Sequence, residues 1–190
     1  MKKLMMIAAL MVASLSVSAQ GLFIKPMAGG TLATMTGDVE HLKLKVGFVG
    51  GAELGYQFNN NFALTAGALY SMQGAKFDSD KTKYNLNLDY VNVPVMLAVY
   101  PVEGFGIKAG VQFGFLVNAK EGDDNIKDFY KKSDLSIPLG LSYEFDDVAV
   151  DLRYNLGISN IMNKDLANAL DSKIRNGVIM LTIGYKIPLY

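Results

Sequence analysis

Apolar residues recur at every second position over most of this chain, and that period rules out most folds. From Phe105 to Ala119, Phe105, Ile107, Ala109, Val111, Phe113, Phe115 and Val117 lie on one face. Gly106, Lys108, Gly110, Gln112, Gly114, Leu116 and Asn118 lie on the other. From Val148, Val150, Leu152, Tyr154, Leu156 and Ile158 again oppose Asp151, Arg153, Asn155 and Gly157. Leu135, Ile137, Leu139, Leu141, Tyr143 and Phe145 form a third such set, with Glu144 on its polar side. A period of two is a β-strand with unlike faces; a helix would repeat every 3.6 residues.

The pattern predicts eight strands. The other five are Leu22 to Leu32, with Lys25 inward; Val46 to Phe58, with Glu53 inward; Phe62 to Met72; Tyr84 to Tyr100; and Val178 to Leu189. In Tyr84 to Tyr100 the apolar phase changes near Asp89, from Leu86 and Leu88 to Val91, Val93, Val95, Leu97 and Val99. A β-bulge there would keep one continuous outer face. Tight turns are expected at Asn59-Asn60-Asn61, around Pro101 to Gly104, and at Asp146-Asp147. Longer connections are expected over 36–45, 74–83, 120–134 and 160–175. Short turns at one end and long loops at the other is the bacterial outer-membrane arrangement, with short turns and both termini periplasmic.

The N-terminus reads as a targeting segment. Lys2 and Lys3 precede an apolar run from Leu4 to Val17, and Val17-Ser18-Ala19 fits a signal-peptidase site with cleavage before Gln20. The expected division is a signal peptide at 1–19 and one barrel domain at 20–190. Past it, no stretch reaches the roughly 18 apolar residues of a membrane helix, so a membrane-bound chain must close into a barrel. Net charge is zero, which gives no nucleic-acid footprint. The absence of cysteine removes disulfides, thiolate metal sites and a cysteine nucleophile.

A soluble barrel would show the same alternation with its apolar face inward. Three features favour lipid outside. The polar faces are glycine-rich, at Gly47, Gly51, Gly55, Gly106, Gly110, Gly114, Gly140 and Gly157, which weakens a water-exposed strand but suits a crowded lumen. The apolar faces run the full strand length. Tyr56, Phe58, Phe62, Phe105, Tyr143, Phe145 and Tyr185 gather at one strand level, as an interfacial girdle does. The predicted fold is an all-β, antiparallel up-and-down barrel in the outer membrane.

Three segments carry a family resemblance: Tyr90-Val91-Asn92-Val93-Pro94-Val95-Met96-Leu97, Gly140-Leu141-Ser142-Tyr143-Glu144-Phe145 and Asp151-Leu152-Arg153-Tyr154-Asn155-Leu156-Gly157. They resemble the PorT-like, "porin family" outer-membrane barrels over essentially the whole mature chain. The resemblance implies a barrel and, through one member type, a role in secretion. Tyr190 looks like the C-terminal signal read by the barrel-assembly machinery. The preceding apolar set is one residue out of phase with it, and a bulge near Pro188 would repair this.

Lys25, Glu53, Lys108, Glu144, Asp151 and Arg153 are the candidate lumen residues. They read either as an ion-pair network filling a narrow barrel or as a charged constriction selecting small ions. No catalytic, cofactor or metal motif is present: His41 is a lone loop histidine, and Glu121, Asp123 and Asp124 lack calcium-loop spacing. Short helices are expected at Asn125 to Lys132 and Asp165 to Ile174, capping the mouth or meeting a partner protein. The expected function is a non-enzymatic barrel with a filled lumen and exposed loops. The alternatives are a narrow channel and, on the resemblance alone, a secretion or assembly component. Expected partners are outer-membrane lipid, the assembly machinery during biogenesis and a protein at the long loops.

Overall fold

The computed structural model describes residues 21–37, 42–79, 82–122, 124–163 and 174–189. The predicted signal peptide, His41, Tyr190 and most of the helix expected from Asp165 lie outside them. Eight long strands carry the fold: β1 (Leu22–Gly37), β2 (Lys45–Asn59), β3 (Phe62–Ser79), β4 (Thr82–Val102), β5 (Phe105–Glu121), β6 (Ser133–Phe145), β7 (Val148–Gly157) and β8 (Ile174–Tyr185). Each pairs antiparallel with its sequence neighbour, and β1 also pairs with β8 from Met27↔Gly184 to Gly37↔Ile174. The sheet is therefore closed and leaves no free edge for lipid to meet. Among the described residues no helix is long and apolar enough to cross a membrane.

The alternation resolves as expected. Leu64, Leu97, Phe113, Phe115, Leu139, Leu141, Leu152, Tyr154, Leu181 and Ile183 are exposed on the outer wall. The polar residues between them are buried inside, including Thr65, Gln112, Ser142, Asn155 and Thr182. Such an exposed apolar wall is stable only against lipid. At the short-turn end, Phe58, Phe62, Tyr143, Phe145 and Tyr185 are exposed, and Tyr56 stacks edge-on to Phe58 at 5.1 Å. These residues form the girdle expected from the sequence.

The turns at that end are two residues long, joining Asn59↔Phe62, Val102↔Phe105 and Phe145↔Val148. Gly104 (φ +77°) and Asp146 (φ +50°) supply the positive φ that tight hairpin turns demand.

Three expectations are corrected. The connection expected over 74–83 is mostly strand: the β3–β4 ladder runs on through Lys76↔Asn85 and Phe77↔Tyr84 to Ser79↔Thr82. The bulge near Asp89 lies on the partner strand: Asp89 pairs with Asn118 and Tyr90 with Leu116, so Val117 of β5 is the extra residue. Leu86 and Leu88 consequently stay in phase with Tyr90 and point inward, fully buried. No bulge forms at Pro188 either. Ile187–Pro188 meets Phe23–Ile24 in the same register as β8. The seam is only interrupted at Pro26, which has no N–H to donate.

Leu152, exposed at the middle of β7, tests which side faces lipid. Leu152→Arg is expected to cost about 2–4 kcal/mol, read as a lower urea midpoint of the barrel folded in vesicles. An unchanged midpoint would mean that this face meets water.

Candidate functional site

The inward glycines explain how a narrow lumen holds long charged side chains. A Cβ on Gly67 would stand 2.8 Å from Glu53 Cγ, and one on Gly184 would stand 2.9 Å from Lys25 Cγ. One on Gly106 would stand 3.0 Å from the Tyr100 ring. Each charged or aromatic side chain lies flat across a neighbouring strand where that strand has none of its own.

On this floor five of the six predicted residues meet. Lys25 on β1 and Glu53 on β2 are register partners. Lys25 Nζ donates to Asp151 Oδ2 at 2.7 Å and lies 3.2 Å from Glu53 Oε2. The second contact is an ion pair off the hydrogen-bond direction, since Glu53 Oε2 has no hydrogen-bond partner. Lys108 Nζ on β5 donates to Asp151 Oδ1 at 2.5 Å, and Arg153 Nη2 on β7 donates to Glu53 Oε1 at 2.6 Å. The result is one chain across the lumen: Lys108, Asp151, Lys25, Glu53, Arg153. All five side chains are at most 3% exposed.

Glu144 is not part of that chain. It accepts from Tyr100 Oη at 2.6 Å and from Lys186 Nζ at 3.1 Å, nearer the short turns. Lys186 also donates to Gln57 Oε1 at 2.8 Å and sits over the Phe23 ring at 4.5 Å. The sequence count of three bases against three acids thus becomes three against two, plus a separate Lys186–Glu144 pair. Lys186 carries no sequence signal of this role, since only the closed ring brings it beside Glu144. Tyr100 reads as one more apolar strand residue until the fold brings it beside Glu144.

Above the charged chain, toward the long loops, lie Met27, Ala33, Val49, Leu69, Val178 and Met180. Above these, Met35, Ala75, Leu86, Leu88, Tyr90, Leu116, Ala119 and Ile161 form an apolar plug, with Ile126, Tyr130 and Ile174 packed against it. The two loops at this end stitch together over it: Lys131 N donates to Ile161 O at 2.8 Å, and Tyr130 bridges Met162. The helix expected from Asn125 is a single 3-10 turn, Lys127–Phe129, with Ile126 directed at the plug. Asp134 holds the β6 entrance, accepting from Ser159 Oγ at 2.5 Å and Asn176 Nδ2 at 3.0 Å. Among the described residues no group of acidic or histidine side chains is arranged to hold a metal.

The closed ring and its lipid-facing wall agree with comparison to known proteins. Residues 14–163 match the family described as "Outer membrane protein beta-barrel domain". The chain belongs to that family. Its members' place is the outer membrane, and there this barrel is embedded in lipid. No curated protein matches the chain by sequence. Among solved structures, Neisserial surface protein A has a TM-score of 0.58 at 15% identity, covering 90% of this chain and 98% of that one. Ail, the attachment invasion locus protein of Yersinia pestis, has a TM-score of 0.53 at 16% identity, covering 88% and 99%. At such identities the likeness is one of fold.

The chain of ion pairs makes a clear energetic prediction. Glu53→Ala leaves Arg153 and part of Lys25 uncompensated in a dry interior, and is expected to cost about 3–5 kcal/mol in the folded barrel. Glu53→Leu combined with Arg153→Met is expected to recover most of that loss, since an apolar pair of similar volume replaces a buried ion pair. Urea titration of both variants checks this. A double variant no better than Glu53→Ala would sink it.

Proposed function

We propose that this is a sealed, non-enzymatic barrel whose exposed loops serve a structural or interaction role at the cell surface. The observation that carries the reading is the state of the lumen. The charged side chains that would line a conducting constriction are paired with one another and buried. Leu86, Leu88 and Tyr90 stand on the loop side of them. Tyr100, with Glu144 and Lys186, stands on the turn side. The same pairing argues against catalysis in the lumen, because its acids and bases are engaged with each other and kept from solvent.

A narrow channel for small ions is the second reading, supported by the polar lumen wall of Thr65, Ser71, Gln73, Asn92 and Gln112. A secretion or assembly role is the third, supported by the PorT-like strand segments around Tyr90–Leu97 and Asp151–Gly157. We place biogenesis with the barrel-assembly machinery acting on the last strand, and periplasmic exposure with the short turns.

Single-channel recording from the barrel refolded from Gln20 separates the readings. The sealed barrel gives a heat-modifiable gel band and no steady conductance. Reproducible conductance that shifts on Lys108→Ala or Arg153→Ala would make the channel reading the correct one.

A further inference from the structure

The loop between β5 and β6 carries a charged groove whose lysine and aspartate side chains take no part in the apolar plug. Lys127, Asp128, Tyr130, Lys131, Lys132 and Asn163 line a cavity of about 330 Å3. Backbone bonds fix its shape: Leu116 N donates to Lys132 O at 2.9 Å, and Asn163 N donates to Phe129 O at 2.9 Å. Asn163 Nδ2 donates to Asp128 O at 3.0 Å. The groove therefore has a built floor, with three lysines against one aspartate.

Its height on the barrel follows from one contact. Lys127 Nζ donates to Val117 O at 3.0 Å. Val117 is the last member of the lipid-facing column that runs through Val111, Phe113 and Phe115, all exposed. Phe129, in the same loop turn, is 55% exposed. The groove thus begins where the apolar wall stops, which is the level of lipid headgroups. Neither Lys131 nor Lys132 has a carboxylate partner among the described residues. Point-charge ammonium groups at that level attract anionic headgroups.

We propose that this groove binds the phosphate of a lipid in the leaflet at the long-loop end. The lysines hold the phosphate, while the acyl chains lie along Phe113, Phe115 and Val117. The apolar column directly beneath the groove favours an amphiphile over a soluble anion. The inference rests on the outer-membrane placement and is independent of whether the lumen conducts.

Native mass spectrometry of the full barrel in detergent, offered equal phosphatidic acid and phosphatidylcholine, tests it. The barrel is expected to retain phosphatidic acid preferentially. Changing Lys127, Lys131 and Lys132 together to Gln is expected to lower that retention by roughly fivefold per lysine, on the order of 100-fold in all. Lys76→Gln, an exposed lysine elsewhere at the same end, is expected to leave it unchanged. Asp128→Asn removes the one repelling carboxylate from an exposed position and is expected to raise retention severalfold. This single change carries the test if the triple variant fails to show a heat-modifiable band. Equal retention of the two lipids, no loss in a folded triple variant, or no gain in Asp128→Asn would overturn the proposal. So would displacement of phosphatidic acid by inorganic phosphate or soluble polyphosphate at the same concentration, which would mark a soluble-anion site.

Discussion

A bilayer offers no partner for a strand edge, so the pairing of β1 with β8 is the constraint on which everything else depends. Eight strands closed in this way leave an interior about wide enough for side chains and little more. The other features follow from that width. Inward positions must alternate between a side chain and the glycine it lies across, as Glu53 does over Gly67 and Lys25 over Gly184. Charges held there have no water to fall back on, so they must find each other.

Much of this was readable in the sequence, because the pleat of a strand converts parity directly into inside and outside. The strands, the three short turns, the aromatic rim and the inward placement of Lys25, Glu53, Lys108, Asp151 and Arg153 all follow from counting by twos. What escaped reading was whatever breaks parity or depends on a strand far away in sequence. Hydropathy alone set Leu86 and Leu88 outward, since apolar residues normally face lipid in such a wall. They face inward because β4 keeps one parity from Leu86 to Tyr90, and there they pack into the apolar plug. The extra residue is at Val117, on a strand whose own alternation gave no sign of it. Lys186 and Tyr100 look unremarkable locally, and only the closed ring brings both to Glu144.

The lumen is layered. A Tyr100–Glu144–Lys186 lid lies near the short turns, a charged chain above it, and an apolar plug beneath the loops. The layers differ in chemistry: the plug is built of apolar side chains, and the charged layer is held by ion pairs between strands. The loop that supplies Ile126 to the plug also supplies the lysines of the outer groove, so one short segment serves both the lumen core and the rim.

The span of the ion-pair chain has a consequence for assembly. Lys25 and Asp151 are separated by 126 positions, and Glu53 and Arg153 by 100. A first hairpin entering the bilayer on its own would carry Lys25 and Glu53 with only each other for compensation, before Asp151 and Arg153 exist beside them. The hydrogen bonds from Lys25 to Asp151 and from Arg153 to Glu53 form only when β7 arrives. The same salt bridges that fill the finished lumen thus penalise piecemeal insertion and couple the earliest strands to the latest. Completion of the barrel is favoured as a nearly all-or-none event.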